Sequence, residues 1–351
     1  MSLSDSQKAQ LEALSQVCDQ HLLESVKINE IPTPGEKLLY ILRNITLPRD
    51  FVLFCRFQHE LIDCTELFKE VLTDEGICYT FNTFDHAKMF KGAESSDDRP
   101  YMAIPGANAG LNVVLYSKSS DLDFICKGPV QGYKLKVHSP DELPRMSSGY
   151  ARIPLNSETL VSIKPQVAFS NSDSGAYCHT SQTKTLKYFR EYSQQNCMSE
   201  CIAMHTFLRC GCVKFTMVHG ENERICNQHD IHCVSEAEKA YGNDTLDTGV
   251  PCDCKPDCDS LKFEVKVSQA DFDFKRVFSS YKADVDEFPD AILSRLSVYF
   301  EDSFYTVEHV TAKNSLLDTI AKIGGIAAFF LGASFISFIE VFFYFFRRFL
   351  C

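Results

Sequence analysis

Apolar and polar residues alternate strictly from Leu261 to Ser268: Leu261, Phe263, Val265 and Val267 are interleaved with Lys262, Glu264, Lys266 and Ser268. Leu296, Val298 and Phe300 repeat the alternation. Successive side chains of a strand point to opposite faces, so both segments predict half-buried strands. Near the start the period changes to that of a helix, with Leu11, Leu14 and Val17 on one face and Ser4 or Ser6 placed to cap it. Thr65–Leu72 and the stretch 185–208 also have helical spacing, with loops rich in Ser, Asp and Gly at 92–110 and 139–150. The mixture predicts an α+β fold.

The polar positions then vanish. Ile323 to Phe346 is a run of 24 residues with a single charge, Glu340, followed at once by Arg347 and Arg348. A continuous helix of this run is roughly 36 Å long, enough for a hydrocarbon core of about 30 Å. Residues 320–346 therefore predict one transmembrane helix. The alternative, a buried helix of a soluble domain, normally carries a polar stripe that is missing here. The double Arg places the short tail 347–351 in the cytoplasm, although Lys313 and Lys322 precede the span. Everything before about residue 320 is then outside the cell, yet residues 1–30 lack a signal-peptide pattern. The expectation is that the natural N-terminus lies upstream of Met1.

Within the span Gly324, Ala328 and Gly332 are four apart, and Ala321 and Gly325 add a second small pair. Gly332-Ala333-Ser334 interrupts the bulky residues; if the helix unwinds there, backbone carbonyls and the Ser334 hydroxyl replace part of an ion's hydration shell. Gly332, Ala333 and Ser334 are accordingly the candidate selectivity filter, and Gly324, Gly325, Ala328, Ser337 and Glu340 the candidate pore-lining residues. A small-xxx-small association seam without a pore is the competing reading. Glu340 lies seven residues after Ala333, nearly the same face of a continuous helix, where it would form an acidic ring. Its alternative is snorkelling to the headgroups beside Arg347 and Arg348.

Composition narrows the classes. The 351 residues include 16 Cys, 28 Phe and no Trp, with a net charge of −12. So many cysteines point to an oxidising compartment. The acidic balance speaks against nucleic acid. No phosphate loop, nucleophile elbow or His-Glu-x-x-His occurs, so no enzyme is expected. Asn44 and Asn243 head glycosylation sequons. Glu301, Asp302 and Glu308, just before the span, suit either a cation-collecting vestibule or a plain solvated face. Ten cysteines crowd into the 81 residues from Cys178 to Cys258, and the four-residue spacing of Cys197 and Cys201 suits a ladder of bridges. Zinc on Cys226, His229, His232 and Cys233 is the competing reading.

Asn196-Cys-x3-Cys-x8-Cys-Gly-Cys212, the later Cys-x-Cys-x3-Cys258 and Gly-Gly-x6-Gly-Ala-Ser at 324–334 together resemble the epithelial sodium channel/degenerin/acid-sensing family. Asp63-Cys64-Thr-Glu-Leu-Phe, Leu72-Thr-Asp-Glu-Gly-Ile-Cys-Tyr-Thr-Phe-Asn82, His138-Ser-Pro-Asp-Glu-Leu-Pro144 and Ser294-Arg-Leu-Ser297 are similar to its insect pickpocket branch. The likeness runs from about Cys55 to Arg348. It implies a hand-like, disulfide-rich ectodomain. Residues 1–50 would be a finger-like helical segment and 51–177 palm and β-ball strands with part of the finger. Residues 178–260 would be the cysteine-rich thumb, and 261–312 palm strands leading to the membrane helix.

The resemblance further implies the pairs Cys178–Cys258, Cys197–Cys254, Cys201–Cys252, Cys210–Cys233, Cys212–Cys226 and Cys55–Cys64. Setting Cys351 aside leaves 15 cysteines, an odd number, of which Cys18, Cys78 and Cys126 remain. Cys18 with Cys126 is the expected last pair. Cys78 is expected to be the orphan, since its family counterpart bonds to a first palm strand that this sequence lacks, as it lacks the first membrane helix and the His-Gly segment. Thr216-Met-Val-His, where Met-Pro is usual, and Ile326-Ala-Ala328, where a Gly commonly precedes the filter, are lesser departures. The implied function is a subunit of a trimeric amiloride-sensitive-type sodium channel of the plasma membrane, a homomer or a heteromer with related subunits. It would need no cofactor, and its partners would be sodium ions and membrane lipid. The alternative is a non-conducting single-pass surface or regulatory protein.

Overall fold

The computed structural model describes residues 4–18, 32–46, 49–84, 89–91, 104–124, 126, 128–170, 177–242, 252–280, 290–310, 316–332 and 334–350. The chain divides into two units, Met1–Glu308 and His309–Cys351.

In the first unit, strands β1 (Val52–Phe57) and β2 (Glu60–Leu61) are joined by Gln58 and His59, both at positive φ (51° and 69°). Such a turn matches the right-handed twist of the strands it connects. Then come β3 (Phe68–Thr73) and β4 (Gly76–Phe81), a hairpin, and β5 (Leu111–Lys118). The short pair β6 (Tyr133–Leu135) and β7 (Ala151–Ile153) precedes the longest strand, β8 (Ser157–Ser170). β9 (Asp259–Asp271), β10 (Ala291–Phe300) and β11 (Thr306–Val310) follow. The main sheet runs β11-β8-β10-β5-β1-β2, with β9 also on β8.

Period-two patterning builds the core. Leu111, Val113 and Leu115 of β5, Val161 and Ile163 of β8, Leu296 of β10 and Cys55 and Phe57 of β1 are buried in one cluster. Register aligns them, with Leu296 opposite Val113 and Cys55 opposite Val113 on the other side. β9 departs from the half-buried expectation: Leu261, Val265 and Val267 are 38–43% exposed. The strand pairs with β8 along its whole length, and among the described residues the sheet order gives it no other partner.

Local helical spacing misleads in two places. Asp63 caps one turn, Cys64–Leu67, by accepting from the Thr65 N–H at 2.9 Å. Phe68–Thr73 then becomes β3, because pairing through Thr73 and Gly76 with β4 outweighs a weak helical preference. In the stretch 185–208 the helix begins late, as Gln194–Cys210 after its N-cap Ser193. Ahead of it the N–H groups of Lys187, Tyr188 and Phe189 donate to the Glu200 carboxylate at 2.5–3.1 Å, which holds that segment against the helix in a non-helical form.

The first helix, Asp5–Ser15, has the expected cap: Ser4 and Gln7 bond reciprocally. Its buried face, however, is Glu12, Ala13, Gln16 and Val17, while Leu11 is exposed. Polar bonds set the rotation: Glu12 accepts from the Thr33 N–H at 2.7 Å and Gln16 donates to the Cys226 carbonyl at 3.3 Å.

In the second unit the single predicted span is two helices, Leu316–Leu331 and Phe335–Leu350, of 16 residues each. Each is roughly 24 Å long. Among the described residues no helix is long and apolar enough to cross a membrane. The expected continuous helix 320–346 is thus corrected: Gly332 takes a left-handed φ of +63° and ends the first helix, and Ser334 opens the second.

Gly110, which precedes β5, lies so close to β10 that a Cβ there would sit 2.2 Å from the Val298 carbonyl oxygen. Gly110→Ala is expected to destabilise the first unit by about 1–3 kcal/mol. The measurement is the thermal unfolding midpoint of the purified full chain, which should fall by several degrees.

Candidate functional site

The break joins two groups of predicted site residues. On the helix before it, Gly324, Gly325 and Ala328 are present on an exposed surface, and a Cβ added at either glycine would meet no atom within 4 Å. Contacts with the described residues therefore do not require small residues there. At the break stand Gly332 and Ser334; Ala333 lies outside the described residues. Ser337 and Glu340 belong to the second helix, which carries Arg347 and Arg348 in its last turn. Because the helix is interrupted, the seven-residue spacing of Ala333 and Glu340 no longer sets a common face. Phe329 and Phe330, 83% and 76% exposed, lie in the last turn of the helix Leu316–Leu331.

Chemically the break is polar in a defined sense. The last carbonyls of a helix lack intrahelical donors, and the first N–H groups of the next lack acceptors. An apolar stretch that ends one helix at Gly332 and caps another at Ser334 concentrates both kinds of group in a few residues.

In the first unit the structure bonds Cys178 to Cys258, Cys197 to Cys254, Cys201 to Cys252, Cys210 to Cys233 and Cys212 to Cys226, with Cα separations of 5.0–5.9 Å. Cys55 is bonded to Cys64 and Cys18 to Cys126. Cys226 and Cys233 are thereby spent, so the zinc quartet with His229 and His232 cannot form. The other close clusters, Cys201-His205-Cys252 and Cys212-Cys226-Asp230, likewise have their sulfurs in bridges.

Cys78 is the free thiol among the described residues. It borders an apolar cavity of about 460 Å³ whose walls include Phe68, Phe81, Leu135, Phe263 and Phe300. Its sulfur is 3.3 Å from Thr73 Oγ1, and burial pushes the thiol pKa up. The cavity escaped sequence reading, because its walls come from strands far apart in the chain and read as ordinary core. Asn44 is exposed near the end of the helix Gly35–Ile45; Asn243 lies outside the described residues.

A second feature missed by the sequence is the seat of the loop at 139–144 on the start of the Gln194–Cys210 helix. Asn196 donates to the Asp141 carbonyl and accepts from the Leu143 N–H, both at 3.1 Å, while Asp257 accepts from the Gln194 N–H at 3.1 Å. Burial, with Asp141 and Asp257 close by, pushes Glu142 up to about 7. Burial and Asp141 push Asp257 up to about 6.

The family model described as amiloride-sensitive sodium channel matches residues 2–344. The chain belongs to that family. Members are ion channels of the plasma membrane, not enzymes; they conduct sodium, need no cofactor and assemble as multimers. The chain is 25% identical over 345 residues to sodium channel protein Nach of Drosophila melanogaster, covering 88% of this chain and 62% of that one. Pickpocket protein 28 of the same species is 26% identical over 340 residues, 84% and 55% of the two chains. The bile acid-sensitive ion channel of Homo sapiens is 22% identical over 298 residues, 82% and 57%. The chain thus spans less than two thirds of the length of each of these relatives.

Cys78 should resist iodoacetamide in the native full chain and react promptly in denaturant without reductant, as read by peptide mass mapping. The raised carboxyls give a pH signature. Their folded pKa values lie above the ordinary 4.5 and 3.8, so the folded chain keeps protons that the unfolded chain has released. This stabilisation is full below those ordinary values and is lost as pH rises through about 6 and about 7. Glu142→Gln should raise stability above pH 7 by about 1–2 kcal/mol and flatten the pH dependence of the unfolding midpoint.

Proposed function

We propose that the chain is a subunit of a trimeric, amiloride-sensitive-type channel that passes sodium selectively down its gradient across the plasma membrane. The observation that carries this reading is the break at Gly332 and Ser334 inside an apolar stretch, in a chain of the sodium-channel family. Neither 16-residue helix alone reaches across about 30 Å of hydrocarbon, but together they are long enough. The C-terminal end of the first helix turns unpaired carbonyls and the negative end of its dipole toward the break. Discontinuous membrane helices hold small cations with such carbonyls. A ring of three chains multiplies the acceptors around one axis.

On this reading Gly332, Ala333 and Ser334 form the filter. Gly324, Gly325 and Ala328 line the path before it, with Ser337 and Glu340 after it. The Glu340 carboxylate draws cations through. Phe329, Phe330 and the aromatic residues at 342–346 face lipid or neighbouring subunits, and Arg347 and Arg348 mark the cytoplasmic side. Asn44 and Asn243, on the external part, carry glycans.

The test is to express the full chain with a related subunit and record sodium, lithium and potassium currents with and without amiloride. Gly332→Leu should change the sodium-to-potassium permeability ratio severalfold or abolish current at equal surface level. Glu340→Gln should reduce current. Currents that ignore both substitutions, or the absence of any current dependent on this chain, would overturn the proposal in favour of a non-conducting partner.

A further inference from the structure

The cavity beside Cys78 carries charge of one sign. In a chain of net charge −12, the described residues that line it include no Asp or Glu, and its charged members are Lys134 and Lys136. His138 adds no charge: its Nδ1–H donates to the Ser139 carbonyl at 2.7 Å, Thr80 Oγ1 lies 3.2 Å from its Nε2, and burial holds its pKa below the ordinary value. The two lysines are not equivalent. Lys134 Nζ is committed to the Glu75 carboxylate at 2.5 and 2.7 Å and lies 4.5 Å from the centre of the Tyr150 ring. Lys136 Nζ donates to the Ser148 hydroxyl at 2.5 Å and the Gly149 carbonyl at 3.1 Å, and no carboxylate forms an ion pair with it among the described residues. Burial pulls its pKa down.

A second hollow, of about 340 Å³, shares Lys136, His138, Leu261 and Phe263 with the cavity and reaches the start of the helix Gln194–Cys210. There Gln195 Nε2 is buried without a hydrogen-bond partner among the described residues, and Lys262 lines the same hollow. Glu142 is the carboxyl of that lining, and burial pushes it up to about 7, which suppresses its charge. An orphaned buried donor and a half-buried ammonium without a counter-ion are both costly, and an acceptor that carries negative charge relieves both. They stand at the edge of an apolar space of about 460 Å³. An apolar body with a few polar groups converging on it is the usual form of a small-molecule site.

We infer that the cavity is a binding site for a long-chain monocarboxylate, with its carboxylate at Lys136 and its apolar chain between the β3–β4 hairpin and the main sheet. The lysines select against a cationic ligand, and a wholly apolar one leaves Lys136 and Gln195 unrelieved. A flexible chain adapts to an irregular space walled by several strands. The site belongs wholly to the first unit, and it does not depend on the assignment of the pore.

The experiment uses the absence of Trp from the chain: Phe263→Trp places a single indole on the cavity wall, and Phe68→Trp does the same from the hairpin should the first variant not fold. The probe is dibromostearate, whose bromines quench an indole on contact, titrated into the full chain in nanodiscs. The control is Tyr305→Trp, at a position 61% exposed and outside the cavity lining. Saturable quenching is expected from the cavity indole, and only a non-saturating background from the control. Adding Lys136→Gln should weaken the apparent affinity about three- to tenfold. The methyl ester of the probe should show a similar loss, with no further loss when Lys136→Gln is present, because the two changes remove one interaction. Val71→Phe and Leu135→Phe fill the cavity from two different strands, and either one that keeps its unfolding midpoint should abolish the saturable part. The inference is overturned by the lack of saturable quenching, by equal quenching in the control, by equal affinity for acid and ester, or by saturable quenching that survives in a folded cavity-filling variant.

Discussion

The bridge between Cys178 and Cys258 is the constraint on which the first unit depends. It sits where β8 has left the sheet and one residue before β9 enters it, with the two Cα atoms 5.0 Å apart. Backbone bonds reinforce it: Ser170 N–H to the Cys258 carbonyl at 2.7 Å, Cys258 N–H to the His179 carbonyl at 3.1 Å and His179 N–H to the Pro256 carbonyl at 2.9 Å. The cysteine-rich segment between them is thereby an excursion whose two ends are pinned at one point. β8 and β9 continue from that point as a full-length antiparallel pair, and β8 also pairs with β10 in parallel. A displacement of the bridged segment therefore reaches β9 through Cys258, which directly precedes it.

The core face of that sheet is less well filled beside the β3–β4 hairpin. Hydrophobic interiors pack densely because every void forfeits dispersion contacts. Here the β3–β4 hairpin and β6 stand off the sheet far enough to leave the cavity beside Cys78. The hairpin is nonetheless anchored by polar contacts at its turn. Asp74 accepts from the Met146 and Ser147 N–H groups at 2.7 and 2.9 Å, and Glu75 pairs with Lys134. Across the middle, Phe68 and Phe81 of the hairpin pack against the core of the main sheet.

Sequence made the strands legible wherever one side chain in two faced a core, as at Leu296, Val298 and Phe300. It misjudged segments whose conformation is decided by a distant partner. Phe68–Thr73 is a strand because β4 lies beside it, and Lys187–Phe189 is non-helical because Glu200 collects its N–H groups. The rotation of the first helix was hidden for the same reason, since Cys226 and Thr33 fix it. In the apolar stretch 323–346, Gly332-Ala333-Ser334 was visible as an interruption, but hydropathy averages over such a short insert and reads one long helix. Cysteine spacing announced a ladder without its rungs; pairing came from the family pattern, and the structure bonds the same partners.

The order of those rungs has a topological consequence. Their sequence separations shrink inward, 80, 57, 51, 23 and 14 residues, and each pair lies wholly inside the one before it. Concentric closures of this kind never require the chain to thread through a ring already shut. As the polypeptide emerges from its N-terminus, Cys212 meets Cys226 first, and each later closure needs a partner that appears only after the inner ones are complete. Emergence alone can thus impose the correct succession, with the smallest loop and lowest closure entropy at the beginning. Maturation of the segment becomes a zipper driven by the direction of synthesis, and the clamp at Cys178 and Cys258 is its final click.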